Sequence, residues 1–377
     1  MTFVKAQLAR LRALHPRHLS TGRDIPSLDG VRGVAVLLVL FDHMSDAGLH
    51  VIEGANLNRV GRFGVLLFFA LSAFLLTFPF WMRPADELTR WRTWRDYALR
   101  RFFRIFPLYA LVLWITAWNA GDSFNFSDVR NHLLLLDGKR HFWTVLVEVK
   151  YYLVLPLLVL GAIWTAKRKW WLGLLGFAGF WCAMRIILPP LEAIWTARDQ
   201  LCLHRYLLVF LFGSVAGVGH AVVTKNEYNL RAQAWVFESL AWICVVIAVF
   251  RVPAVRAVIF PGSTPVAGQD NSVFAMLWPV LIFCHLHGTG LMRRLLENVA
   301  LRYIGFISFS VYLWHRQILN EIKSWGITSG WLILLFLSSL FVLASISYFA
   351  IERPLSKIRL FGSRKKAVIL GEATSLS

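Results

Sequence analysis

Residues 25–50, IPSLDGVRGVAVLLVLFDHMSDAGLH, join two features that rarely coexist: the stretch is apolar enough to enter a bilayer, yet it carries Arg32 near one end and His43 well inside. An ionisable group at membrane depth is costly and by default marks a functional site. Arg32 and His43 are eleven residues apart, about three whole turns at ~100° per residue, so a helix projects both from one face about 16 Å apart along its axis. One helix would hold a cation at the membrane surface and an imidazole deep in the slab. The same pattern also suits a topogenic anchor at Arg32 and a hydrogen-bonded packing histidine at His43.

The rest of the composition favours the membrane. Among 377 residues, 57% are hydrophobic, with 17 Trp and 29 Phe, and the mean hydropathy is +0.58. A soluble chain of this length would form two or three domains, whereas these values describe an all-α polytopic membrane protein. The net charge of +19 does not imply nucleic acid, because Lys and Arg fall between apolar runs instead of gathering on one hydrated face. Cys182, Cys202, Cys244 and Cys284 are scattered, without CxxC or metal-ligand spacing, so neither a structural disulfide nor a metal is expected. Residues 1–24 are basic but have no apolar core, which reads as a cytoplasmic tail and not a signal peptide.

Apolar runs of about 17–25 residues give ten spans: 31–50, 62–82, 103–120, 142–165, 169–189, 204–223, 234–251, 271–290, 303–320 and 329–351. Arg and Lys crowd alternate loops and both tails, with Arg83, Arg90, Arg92, Arg95, Arg100, Arg101 and Arg104 in the second loop. The positive-inside rule then puts both termini in the cytoplasm, as an even number of spans requires. The domain plan is a basic tail at 1–24, one transmembrane domain at 25–354 and a second basic tail at 355–377, in the cytoplasmic (inner) membrane. Pro261, Gly262, Pro265 and Gly268 mark a turn-rich outer loop.

Helix direction converts position into depth. His43 in the first span, Glu148 in the fourth and His315 with Arg316 in the ninth all fall in the outer half, so three ionisable groups could meet at one level. A structural alternative pairs Glu148 with Lys150 or Arg316 as interhelical glue. Tyr152 lies one turn below Glu148 on the same face. At the opposite surface, Arg101 and Arg104 are three residues apart at the start of the third span, and paired guanidiniums suit a polyphosphate. Topogenic charge is the competing reading there, and the preferred one for Arg83 to Arg95.

These segments resemble the membrane-bound acyltransferase-3 family of bacterial O-acyltransferases. IPSLDGVRGVAVLLVLFDH is similar to its first-helix signature with the Arg-x10-His motif, and GVLLFFALSAFLL at 64–76 to its second-span pattern, Ser72 matching the family serine. Arg101-Phe102-Phe103-Arg104 matches an Arg-x-x-Arg element, and Trp143 to Glu148 with Tyr152 a tryptophan-to-glutamate segment. Ser308 to His315, SFSVYLWH, and Ile351-Glu352-Arg353-Pro354 look like its closing signatures. The matches run in family order across 25–354. Ala73, Val149, Lys150 and Asp42 depart from the family pattern; Asp42 is read at most as an orienting residue beside His43.

The resemblance implies acyl-CoA, most simply acetyl-CoA, as co-substrate with no bound cofactor, and His43 as the catalytic base. Arg32, Arg101 and Arg104 would hold the donor's phosphates, and the rise of about 16 Å from Arg32 to His43 is within reach of its pantetheine arm. Glu148 would fix the tautomer of His43. A covalent acyl-histidine or acyl-Ser72 intermediate stays open. Asp29, Asp42, Ser72, Tyr152, His315 and Arg316 are the supporting residues. The acceptor is a hydroxyl of a glycan or glycoconjugate, such as a surface polysaccharide or lipopolysaccharide, and the partners are acyl-CoA, that glycan and membrane lipid, with no nucleic acid. No fused periplasmic domain is expected after the last span, so any acceptor-handling partner would be separate or absent. Two other classes compete: a transporter or flippase of lipid-linked glycans using His and Glu as a proton relay, and a membrane scaffold, which leaves the Arg-x10-His spacing unexplained.

Overall fold

Helix α1 (Pro26–Asp46) starts where proline costs least, since the N–H it lacks would be unpaired in the first turn anyway. Asp29 lies in its first turn and His43 in its last, the ends at which the helix dipole favours each charge. The structure is a computed structural model and describes residues 25–51, 57–119, 123–168, 203–261, 270–325 and 330–356. The expected span at 169–189, the turn-rich stretch from Gly262, Cys182, Cys202 and most of both tails lie outside the described residues.

The other principal helices are α2 (Val60–Trp81), α3 (Trp91–Asn119), α4 (Phe126–Leu133), α5 (Trp143–Arg168), α6 (Leu207–Lys225), α7 (Ala234–Phe250), α8 (Asp270–His287), α9 (Val299–Phe306), α10 (Ser308–Ser324) and α11 (Trp331–Ser347). Shorter helical turns join them, and no strand occurs among the described residues. Leu28, Val31, Ala35, Val36, Val39 and Leu40 of α1 are all buried. Helices α2, α9 and α10 surround α1, while α6 bridges α2 to α8, and α7 packs on α8. The α1–α9 contact is a backbone approach: a Cβ on Gly305 would stand 1.8 Å from the Asp29 carbonyl oxygen, and one on Gly33 2.2 Å from that of Leu301. Only glycine permits it, and it seats α9 beside Arg32.

Six described helical segments have the length and apolarity to cross a membrane: Val60–Trp81, Trp91–Asn119, Arg140–Ala162, Leu207–Lys225, Arg231–Phe250 and Trp331–Ser356. Ser272–His287 is apolar but shorter. Helix α1, 21 residues long, carries Asp29, Arg32, Asp42 and Asp46. Leu153, Leu157, Leu334, Val342 and Ile346 are exposed on outward faces, the belt a multi-pass membrane protein offers to hydrocarbon.

Three elements differ from expectation. Helix α3 begins at Trp91 and not near 103, because its Arg-rich first turns continue the helix outside the apolar run. The ninth span is broken at Ile307 into α9 and α10, with the Asn298 side chain capping α9. Helix α11 runs into a π-helical turn, Tyr348–Glu352, a distortion often found at functional sites.

Candidate active site

Two polar clusters lie at opposite ends of α1. At one end Arg32 donates from Nη1 to Asp29 Oδ1 at 2.9 Å. Arg101 and Arg104 of α3 join Arg32 around a cavity of about 90 Å³, together with Ser72 of α2 and Glu148 and Tyr152 of α5. The Ser72 and Tyr152 hydroxyls both donate to Glu148 Oε1. The Arg101 guanidinium sits over the Tyr152 ring, 5.8 Å from its centroid, a cation–π contact, and Tyr97 anchors this turn by donating to the Tyr152 carbonyl at 3.1 Å. Arg101 Nε is buried without a hydrogen-bond partner among the described residues. Three guanidiniums against one lining carboxylate make this wall cationic. Such a wall suits an anionic group taken out of water.

At the other end of α1 the His43 and His315 rings stack with centroids 5.0 Å apart and planes at 20°. His141, in the short turn before α5, meets His315 edge-on at 4.9 Å. His315 Nδ1 donates to the Tyr312 carbonyl at 2.6 Å, and His141 Nε2 to that of Leu313 at 3.3 Å. Each neutral ring therefore keeps its lone pair on the other nitrogen, and both of those nitrogens are buried without partners among the described residues. Arg316 Nη1 donates to His43 Nδ1 at 3.4 Å and reaches Asp46 Oδ2 at 3.5 Å. His315 and His141 are buried, whereas His43 is half-buried. Among the described residues no group of three or more His, Cys, Asp or Glu side chains is disposed to hold a metal ion.

Tyr312 stands between the clusters. With Thr144 it forms part of the cavity wall, its hydroxyl accepts from Thr144 Oγ1 at 2.6 Å and donates to the His141 carbonyl, and its ring lies 5.5 Å from that of His315. His43 itself does not line the cavity.

The expected residues thus separate into two groups. Arg32, Arg101, Arg104, Ser72, Glu148 and Tyr152 share the cavity, with Asp29 behind Arg32. His43, His315 and Arg316 meet at the other cluster, so the expected convergence holds for the two histidines but not for Glu148. Its hydrogen bonds go to Ser72 and Tyr152, and the group on His43 is Arg316. Asp42 is also corrected: its carboxylate accepts the backbone N–H of Arg59, whose φ of 75° is left-handed, so it ties down the start of α2. Two residues went unread. His141 lies two residues before the tryptophan-to-glutamate segment, and no motif there marks it. Glu352, quoted only within a motif, is buried, accepts from Ser310 and interacts electrostatically with Arg104.

The acyltransferase domain model of the acyltransferase 3 family matches residues 25–350. A Bacillus subtilis protein provisionally named a peptidoglycan O-acetyltransferase is 22% identical over 370 residues, 88% of this chain and 55% of its own length. The peptidoglycan O-acetyltransferase of Listeria monocytogenes is 22% identical over 380 residues, 88% of this chain and 56% of its own. A Staphylococcus aureus protein provisionally named an O-acetyltransferase is 21% identical over 375 residues, 89% and 58% respectively. The chain spans about half the length of these curated relatives. No solved structure matches the chain.

Proposed function

The chain belongs to the acyltransferase 3 family, and we propose that it moves an acetyl group from acetyl-CoA to a hydroxyl of a cell-envelope glycan. Peptidoglycan, the polymer named for two of the relatives, is the acceptor class favoured over lipopolysaccharide. The observation that carries this reading is the cationic cavity of Arg32, Arg101 and Arg104, whose wall at Tyr312 backs onto the stacked His43 and His315. In this reading the protein lies in the cytoplasmic membrane with ten spans and both termini in the cytoplasm.

The donor's diphosphate pairs with Arg101 and Arg104, each guanidinium offering a bidentate face. The pantetheine arm follows the cavity past Glu148, and the thioester displaces the Tyr312 hydroxyl from its contacts with Thr144 and His141. The acceptor arrives at the half-buried side of His43. Arg316 now donates to His43 Nδ1, so the neutral ring has its proton on Nε2 and its lone pair at Nδ1. When the acceptor hydroxyl replaces that long contact, Nδ1 takes its proton as the oxygen attacks the thioester carbonyl. The freed guanidinium, steered by Asp46, faces the developing oxyanion. The C–S bond then breaks, the thiolate of CoA leaves, and the proton held by His43 neutralises it. Glu148, fixed by Ser72 and Tyr152, offsets part of the arginine charge while the site is empty.

Mass spectrometry of envelope glycans from cells with and without the gene tests this. An acetyl mass on a glycan hydroxyl, lost on deletion and restored by the wild-type gene, is the expected result. Identical glycan acetylation in both strains would reject the reading.

A further inference from the structure

The end of α2 and the start of α3 enclose an open groove of about 460 Å³ lined by Arg83, Arg90, Arg92 and Arg100, with Glu87 and Asp96. Some of this charge is already paired: Arg90 Nη2 meets Asp86 at 2.9 Å, and Arg95 Nη2 meets Asp96 at 3.0 Å. Arg83, Arg92 and Arg100 make no ion pair among the described residues, and Arg83 only overlies the Phe80 ring at 5.7 Å. Glu87 is the one groove carboxylate that is likewise unpaired there.

The groove and the cavity are lined by successive turns of α3. Arg92, Asp96, Arg100 and Arg104 recur every four residues on α3, a stripe that drifts ~40° per step over about 18 Å of helix. It starts in the groove and ends at Arg104 in the cavity wall. The Arg100 guanidinium is acted on by the like charges of Arg83 and Arg101 and the opposite charge of Asp96. Topogenic charge needs only the correct side of a membrane; it does not need three guanidiniums without ion pairs to line one groove.

We propose that this groove is the nucleotide subsite of the donor, taking the adenosine and 3′-phosphate of acyl-CoA while Arg101 and Arg104 hold the diphosphate. The inference rests on the acyl-CoA reading above and adds a site to it. The three guanidiniums supply bidentate donors for the 3′-phosphate and flat faces on which adenine stacks. Glu87 is the discriminating group, because a carboxylate among arginines repels a simple phosphate but accepts from the adenine amino group.

The test uses the full chain in phosphatidylcholine nanodiscs. Adenosine 3′,5′-bisphosphate should bind the wild type, and at least about tenfold more weakly the variant R83Q/R92Q/R100Q, with Arg231→Gln, remote on the surface, as control. In turnover, the triple variant should raise KM for acetyl-CoA about tenfold and leave kcat unchanged. KM for acetyl-4′-phosphopantetheine, which lacks the nucleotide, should not move. Equal bisphosphate binding by variant and wild type overturns the subsite. So does competition by added phosphatidylglycerol with an unchanged acetyl-CoA KM, which would make the groove a lipid-headgroup site. Bisphosphate binding that is lost in the variant, in a protein that never turns over acetyl-CoA, keeps the site and rejects acetyl-CoA as donor.

Discussion

His43 and His315, from helices near the two ends of the chain, stack at 5.0 Å, and the Tyr312 carbonyl fixes the tautomer of His315. A stacked, tautomer-locked neighbour holds the reactive imidazole in orientation without itself touching the donor. His315→Gln should therefore lower kcat about tenfold to a hundredfold and displace the pH–rate profile, with KM for acetyl-CoA unchanged. A purely packing role for His315 would lower the yield of folded protein and leave the profile in place.

Ser72 donates to Glu148, a carboxylate shared with Tyr152, and no histidine is bonded to its hydroxyl among the described residues. Ser72→Ala should cost less than about tenfold in kcat, on the scale of one lost hydrogen bond. Loss of all turnover, or an acetyl group trapped on Ser72, would establish an acyl-serine route.

The α1–α9 contact has no room for a side chain. Gly305→Ala puts a Cβ 1.8 Å from the Asp29 carbonyl oxygen, so it should destabilise by about 1–3 kcal/mol and lower Tm in detergent. Gly161, with nothing within 4 Å of its Cβ position, is the contrast: Gly161→Ala should leave Tm equal or slightly higher.

In α4, outside the spans, Asp128 is paired with Lys139 Nζ at 2.7 Å and accepts the Asn125 backbone N–H at 3.0 Å. Burial pushes its carboxyl pKa up, but the Lys139 and Asn125 hydrogen bonds outweigh that and hold it below the usual 3.8. A lowered folded pKa means a stabilisation complete above the unfolded value and lost as pH falls through the folded one. Protection of the α4 amides from hydrogen exchange, corrected for intrinsic rates, should decline on acidification below about 3.8 in the wild type. Asp128→Asn should show no such decline in that window.

Apolar length is what the sequence displays most openly. The runs at 62–82, 204–223 and 234–251 end within a few residues of α2, α6 and α7, because a bilayer demands a long, nearly charge-free segment and little else there resembles one. The same criterion fails where charge extends a helix: the arginines of Trp91–Arg100 looked like loop and are the first turns of α3. The grouping of Arg32 with Arg101 and Arg104 was implied by the family resemblance, since spacing alone left Arg101 and Arg104 readable as topogenic charge. The choice of Ser72 and Tyr152 over His43 as partners of Glu148 was not, since it depends on how α2 and α5 rotate against each other. His141 was invisible for a similar reason: its role comes from the ring it meets on α10, a contact with no local signature.

Acetyl transfer from acetyl-CoA by the purified full chain carrying His43→Gln, measured beside R101Q/R104Q, tests the shared use of the two clusters most directly. The histidine variant should lose about 10²-fold or more in kcat with KM for acetyl-CoA unchanged, and the arginine variant should raise that KM with kcat largely kept. Wild-type turnover by His43→Gln would contradict the assignment of His43 as the base.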